Sequence, residues 1–187
     1  MSQDFFNALD KVAVAKNTNT FAAIEEDGYY TGHLVAMTLH QQDSKWQKNE
    51  GDEPKTLVRF IFKLDKNDSD HNEVFVETKA KTYSFYDTSD VPKLWKLKGK
   101  TFDERKKEFE KIVFDSENKF KAVHVKCNVK IEEKSSGAFA FVDSVTVLAD
   151  EDMKQAAMPD FYLKHYTDTL LNYAIAPGIT LKSKNNK

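Results

Sequence analysis

The residues best suited to chemistry in this sequence are aromatic and basic side chains that share one face of a predicted strand. Phe75, Lys79, Lys81 and Tyr83 stand an even number of residues apart, so in an extended strand they point to the same side. Aromatic rings offer faces on which bases stack, and ammonium groups pair with a phosphate backbone. The pattern predicts a surface for a single-stranded nucleic acid. The alternative is that the helices that follow cover the rings.

Three further side chains are expected to extend this surface. Arg59 and Lys63 lie on the preceding predicted strand, and Trp46 lies in the polar loop 41–55, which could close over the strands. Stacking contributes about 1–3 kcal/mol per base and tolerates any sequence, which suits a protein that coats single strands.

Other candidate chemical groups fit structural roles better. Gly99-Lys100-Thr101 resembles the end of a phosphate-binding loop, but Leu94 stands where that motif needs a glycine, so a turn between two helices is expected. Cys127 alternates with valines and is interpreted as a small buried hydrophobe.

The histidines and carboxylates indicate neither a metal site nor catalysis. The five histidines show no i,i+4 pairing, and one cysteine cannot form a thiolate cluster. The acidic side chains fall mostly in loops and on charged helix faces, where solvation is their usual state. We therefore expect no catalytic residue, no cofactor and no metal, and a chain that is not an enzyme.

The elements that position the basic and aromatic side chains are strands that surround a helical insertion. Period-two alternation predicts five strands, and capping signals with a 3.6-residue period predict helices between the third and fourth. The strands are expected at 29–40, 56–64, 73–85, 121–131 and 138–148 and the insertion at 89–114. Another helix is expected from about Pro159, followed by a disordered tail.

Length and composition are compatible with one soluble domain. The chain has 187 residues and a formal net charge of −2, with 14 Phe, seven Tyr and two Trp. Residues 1–78 carry 8 Lys/Arg against 14 Asp/Glu, whereas residues 79–134 carry 15 against 10. The central excess of cations is either a basic binding region or a solvated helix face. A single cysteine favours a reducing, cytoplasmic setting, and neither a signal peptide nor a membrane span is expected.

These elements divide the chain into an N-terminal helical or extended arm (1–28), a barrel with its insertion (29–148), and a C-terminal helix with a tail (149–187). The inward side chains of the barrel include Val58, Phe60, Val74 and Val125. The expected fold class is mainly β, with a five-stranded barrel and terminal helices. The alternative is that the same strands form an open sheet packed on the helices.

Three strands, a helical insertion and a closing hairpin are the plan of an OB-fold, whose second and third strands usually bind oligonucleotides. With this order and the segment KTYSFYDTSDVPKLWKL, the chain resembles a bacteriophage-encoded single-stranded DNA-binding protein across about two thirds of its length. The resemblance implies protection of single strands during replication or recombination, in the host cytoplasm and without a cofactor. Many such proteins recruit replication partners through an acidic tail, whereas this chain ends in Lys182, Lys184 and Lys187.

The expected partners are therefore single-stranded DNA and replication or recombination proteins, and self-association as a homodimer is compatible with the chain. The alternative is a protein-interaction module of a viral or cytoplasmic assembly, without nucleic-acid binding, whose aromatic side chains anchor a partner and whose C-terminal helix mediates self-association.

Overall fold

The long strands form where the sequence alternates between apolar and polar side chains. The computed structural model describes Ile24 and residues 26–43, 48–164 and 168–183. Within these ranges the strands are β1 (Gly28–Gln41), β2 (Thr56–Asn67), β3 (Glu73–Glu77), β4 (Lys81–Thr82), β5 (Val123–Lys134), β6 (Gly137–Val147), β7 (Ala156–Pro159), β8 (Leu170–Ile175) and β9 (Ile179–Lys182).

The helical insertion has the predicted local signals. Helix α1 spans Asp90–Trp95 with Pro92 in its first turn. Helix α2 spans Phe102–Val113, and its capping box is present because the Thr101 side chain accepts from the Glu104 N–H while the Glu104 carboxylate accepts from the Thr101 N–H. A third helix, α3, spans Phe161–Lys164.

Seven of the strands form one antiparallel sheet. Its order is β3-β2-β1-β5-β6, with β4 also paired to β2 and β8 also paired to β1, while β7 and β9 form a separate parallel pair. The prediction of a mainly β protein with a helical insertion is confirmed. The sheet is not closed into a barrel, because β3 ends at Glu77 and only an isolated parallel bridge, Thr78 to Val142, joins its end to β6.

The predicted third strand is divided, and its two parts present different faces. Glu77 pairs with Ile61, whereas Lys81 pairs with Val58. From Glu77 to Lys81 the chain advances four residues, whereas β2 advances only three, from Ile61 to Val58. One extra residue on one strand is the mark of a β-bulge. A shift of one residue moves every later side chain to the other face of the sheet. The predicted single face over residues 75–83 is wrong for this reason.

The predicted C-terminal helix is wrong from Leu170 onward. Among the described residues of this segment, Phe161–Lys164 are helical as α3, whereas Leu170–Ile175 pairs with β1 as strand β8. Leu181 and Lys182, assigned by sequence to a disordered tail, lie in β9. The mixed spacing of apolar residues fits either structure, and pairing with β1 decides between them.

Two hydrophobic clusters lie on opposite faces of the sheet. The inner face packs on α1 and α2 through Phe60, Trp95 and Phe109. The outer face of β1, β2 and β3 is covered by residues 148–163, which we call the strap. Within the strap, Tyr162 packs against Phe75.

Some sequence expectations concern residues outside the described ranges. These are the helical part of the N-terminal arm, Trp46 with the centre of its loop, and Lys184 and Lys187.

In the part of the chain that is described, no helix has the length and apolar character needed to cross a membrane.

Candidate nucleic-acid interface

Of the seven side chains predicted to bind nucleic acid, the structure places Arg59 and Lys79 side by side. The Thr78 N–H donates to the Phe60 carbonyl at 3.0 Å, so the residues flanking this pair, Arg59 and Lys79, are neighbours on the outer face. Arg59 forms an ion pair with Glu77 at 3.2 Å, and both side chains are about one fifth exposed. Lys79 is more open, with 47% of its side chain exposed.

Phe75 lies on the outer face but is covered. Only 8% of the residue is exposed. Its ring centroid lies 6.0 Å from that of Tyr162, and its carbonyl accepts a hydrogen bond from the Tyr162 hydroxyl at 3.2 Å. Burial raises the pKa of Tyr162, so this hydroxyl keeps its proton and remains a donor. With the strap in place, no base can stack on Phe75.

Lys81 and Tyr83 follow the bulge and turn away from Lys79. Lys81 pairs with the inward-facing Val58, and Tyr83 packs edge-on against Phe85 at 5.3 Å beside helix α2. Burial, and secondarily the Glu110 carboxylate, raise the pKa of Tyr83. Tyr83 is therefore covered by the helical insertion, which is the alternative stated above for the aromatic side chains.

Lys63 occupies the other end of the outer face. It pairs with Phe75 and with His33, and its ammonium group donates to the Leu64 carbonyl at 3.4 Å. It lies beside Phe75, which the strap covers, and four residues along β2 from Arg59. Trp46 lies outside the described residues.

A second group of side chains joins Arg59 and Lys79 across the line where β3 meets β6. Lys130 and Phe141 are cross-strand partners, as are Glu132 and Phe139, and they face away from the buried Val129 and Val142. We call this group the seam surface. It consists of Arg59, Lys79, Lys130, Lys134, Phe139 and Phe141, with the carboxylates Glu77 and Glu132 between them.

Lysine ammonium groups lie over both phenylalanine rings of the seam surface. The Lys79 Nζ is 4.2 Å from the Phe141 ring centroid, and the Lys134 Nζ is 5.7 Å from that of Phe139. Both distances are within the range of a cation–π contact. Each ring thus has a face that now contacts a cation and could contact a base instead.

The same cations are paired with carboxylates. Lys79 donates to Glu132 at 2.9 Å, Lys134 is 3.7 Å from Glu132, and Lys130 is 3.8 Å from Asp27. Hydrogen bonding from Lys79 holds the pKa of Glu132 below its ordinary value. Exposed pairs of this kind contribute little to stability, so a phosphate can replace the carboxylate at small cost.

Sequence reasoning missed four members of the seam surface. Phe139 and Phe141 stand two residues apart in a predicted strand, and Lys130 and Lys134 lie on its hairpin partner. The aromatic and basic alternation was therefore present in β5 and β6 as well as in β3. The sequence does not show that these side chains lie near Lys79, because their proximity depends on the bridge from Thr78 to Val142.

The other chemically suggestive groups have structural roles. The Gly99-Lys100-Thr101 turn joins the two helices, and its amides are occupied: Glu108 accepts from the Gly99 N–H at 2.9 Å, and Glu104 accepts from the Lys100 N–H at 2.7 Å. Burial, followed by the Asp65 charge, raises the pKa of Cys127 to about 12, which makes its thiol unreactive at neutral pH. Within the described ranges, no group of three or more histidine, cysteine or acidic side chains is arranged to hold a metal ion.

Comparison of the chain with family models, with curated proteins and with solved structures found no match. The candidate interface therefore rests on the geometry of the seam surface.

Proposed function

We propose that the protein binds single-stranded DNA through the seam surface, with little sequence preference, and protects it during replication or recombination. One observation carries the proposal. Four cations and two phenylalanine rings converge on one outward surface, which is formed by β2, β5, β6 and Lys79. Cations along a backbone path and rings beside them are the two components of non-specific single-strand binding.

An OB-type architecture belongs to the same proposal. Its support is the strand order β3-β2-β1-β5-β6, the insertion between β4 and β5, and the parallel approach of β3 to β6 at Thr78 and Val142. OB-folds are partly open five-stranded barrels that bind oligonucleotides on their second and third strands and on the loop of their last hairpin. In the proposed OB-type arrangement, the β5–β6 hairpin, which carries Lys134 and Phe139, corresponds to that loop.

Binding of DNA would replace the present contacts of Lys79 with contacts to the nucleic acid. A phosphate approaching Lys79 draws its ammonium group away from the Phe141 ring and from Glu132, to which it is now hydrogen-bonded. The vacated ring face then accepts a base. Because the phosphate contacts release counterions, affinity falls as the salt concentration rises. The bacteriophage setting, the cytoplasmic location and recruitment of replication proteins are further parts of this proposal, supported by the sequence resemblance alone.

Fluorescence anisotropy with a labelled oligo-dT, at two or more salt concentrations, tests the proposal. A label on the DNA is preferable to intrinsic fluorescence because Trp95 is buried in the core. We expect Phe141→Ala to weaken binding about tenfold through lost stacking. Lys79→Gln should reduce the slope of log affinity against log salt by about 0.7, the value for one phosphate contact on a single strand.

Matched controls distinguish the surface from general effects of substitution. Tyr86 is an exposed aromatic residue and Lys107 an exposed lysine, both outside the seam surface. Tyr86→Ala and Lys107→Gln should leave affinity and salt slope unchanged. Binding of the wild type that is indifferent to salt, or equal losses in the control variants, would exclude the seam surface as the binding site.

A protein-interaction role is the second candidate, and one observation favours it. Strand β8 pairs only with β1 among the described residues, and Leu171 and Tyr173 along it are 55% and 51% exposed. An open strand edge with apolar side chains is a template for another chain. If the wild type binds no oligonucleotide but self-associates in sedimentation, this second function is favoured.

A further inference from the structure

Two histidines on neighbouring strands form a stacked pair beneath the strap. His33 on β1 and His124 on β5 are direct cross-strand partners, with ring centroids 4.8 Å apart and ring planes inclined by 25°. Their side chains are only 6% and 11% exposed. The strap begins beside them, because the Leu148 N–H donates to the His124 carbonyl at 2.9 Å.

All four ring nitrogens of this pair face oxygen atoms. His33 Nε2 is 3.0 Å from the Glu151 carbonyl oxygen, and His33 Nδ1 is 3.6 Å from the Asp65 carboxylate. His124 Nδ1 is 3.2 Å from the Ala149 carbonyl oxygen. His124 Nε2 is 3.3 Å from the Glu151 carboxylate and 3.7 Å from that of Asp65.

Because every ring nitrogen faces an oxygen atom, the number of protons on the pair decides how many of these contacts are attractive. A neutral imidazole carries one N–H and one lone pair, whereas the protonated ring donates from both nitrogens. Carbonyl and ionised carboxylate oxygens only accept. Two neutral rings therefore leave two nitrogens whose lone pairs face oxygen, and each added proton turns one such contact into an attractive one.

The charges around the rings permit this protonation. On the packed elements the facing groups are Asp65 and Lys63 on β2, Lys126 on β5 and Glu151 in the strap. The Lys63 ammonium group is turned to the Leu64 carbonyl and that of Lys126 towards the Tyr29 ring. Two carboxylates thus contact the rings directly, while the two ammonium groups are directed elsewhere.

We propose that His33 and His124, with Asp65 and Glu151, form a proton-operated clasp that fastens the strap to the sheet. The clasp closes when the rings are charged and loosens as pH rises through the range in which histidine loses its charge, about pH 5–8. It joins the strap to β1, β2 and β5 at once. It does not depend on the proposed DNA binding.

Loosening of the clasp has a defined effect on the surface. The strap covers Ile61 and Phe75 on the outer face through Met158 and Tyr162. Ile61 pairs with Glu77, the ion-pair partner of Arg59 at the seam surface. A strap released at higher pH therefore exposes an apolar area directly beside the seam surface.

Histidine ring ¹⁵N shifts and amide hydrogen exchange of the full chain test the clasp. We expect both nitrogens of both rings to carry protons at pH 6. Protection of strap amides such as Ala157, whose N–H donates to Glu73, should fall about tenfold or more between pH 6 and pH 8, beyond the intrinsic pH dependence of exchange, the equivalent of about 1.4 kcal/mol.

The double variant His33→Gln/His124→Gln should lose this pH dependence, while His71→Gln, at an exposed turn residue, should keep it. The ring shifts need no variant and so decide the matter even if the double variant folds poorly. Neutral rings at pH 6, or the same pH dependence in wild type and double variant, would overturn the proposal. Stabilisation of the wild type by Zn²⁺ at pH 8, absent from the double variant, would overturn it as well, because the cluster would then hold a metal in place of protons.

Discussion

At the scale of single residues, the two arginines have different roles despite their shared charge. The Arg105 guanidinium is buried and donates to the carbonyls of Phe85, Gly99 and Lys100 at 2.6, 3.0 and 3.0 Å. It thereby fixes the turn between the helices. Arg59 lies beside Lys79, is about one fifth exposed and is paired to Glu77.

Glu77 provides a pH-dependent test of how Arg59 is held. Burial raises the pKa of Glu77, and the Arg59 charge only partly opposes this. A raised pKa in the folded state means that the stabilising contribution of the protonated group is present below its ordinary pKa and is lost as pH rises through the raised value. Glutamine resembles the protonated carboxyl at every pH. We expect the free energy of unfolding of Glu77→Gln, relative to wild type, to increase with pH across this acidic range and then level off.

Urea denaturation of Glu77→Gln at a series of pH values measures this difference, with Glu133→Gln, an exposed glutamate on β5, as the control. A difference that stays constant with pH would mean that the pair with Arg59 balances burial, and one that decreases with pH would mean that the pair outweighs it.

At the scale of elements, β1 is shared by three partners along its length. Its first half pairs with β5, its second half with β8, and most of it with β2, with a register shift between Leu34 and Ala36. Strand β2 approaches closely at Gly32, where an added Cβ would lie 2.3 Å from the Lys63 carbonyl oxygen. Backbone cannot yield as a flexible side chain can, so only glycine fits at this position.

We expect Gly32→Ala to lower the free energy of unfolding by about 2–3 kcal/mol, the upper range for overpacking. Gly28→Ala, in the same strand, is the matched control, because its Cβ would meet only side-chain atoms of Tyr30 at 3.7 Å or more. Chemical denaturation of both variants measures the effect. Equal stability of the two variants would mean that β1 and β2 separate at Gly32 without cost.

At the scale of the whole molecule, the helical insertion and the sheet share one aromatic core. The Phe109 ring of α2 lies 5.8 Å from Phe60 of β2, 6.0 Å from Trp95 of α1 and 5.3 Å from Phe85. Neither the insertion nor the inner face of the sheet can bury its aromatic side chains without the other. They should therefore unfold together.

We predict that Trp95 fluorescence, measured in a Trp46→Phe background, and far-ultraviolet circular dichroism report the same unfolding midpoint. Phe109→Ala should lower the free energy of unfolding by about 3–5 kcal/mol and shift both signals equally. Ile112→Ala, at a partly buried position of the same helix, should have a smaller effect. Separate midpoints for the two signals would show that the insertion unfolds by itself.

Local signals in the sequence are sufficient to predict the long strands and the two helices of the insertion. Strict alternation predicted β1, β2, β5 and β6 to within about three residues at their ends, and capping signals predicted α1 and α2. The sequence also indicated that Arg59 lies next to the chain segment that carries Lys79, although Lys79 itself falls between β3 and β4. These features depend on backbone propensities and on side-chain periods, which are properties of short stretches of chain.

The faces that these elements present depend on contacts that form only when the chain folds. The bulge before Lys81 separates Lys79 from Tyr83, the strap covers Phe75, and the bridge at Thr78 brings Lys79 to Phe141. Each of these depends on contacts between residues far apart in sequence, where a shift of one residue in register reverses a face. The C-terminal strand β8 was decided in the same way, by pairing with β1 that local spacing does not encode.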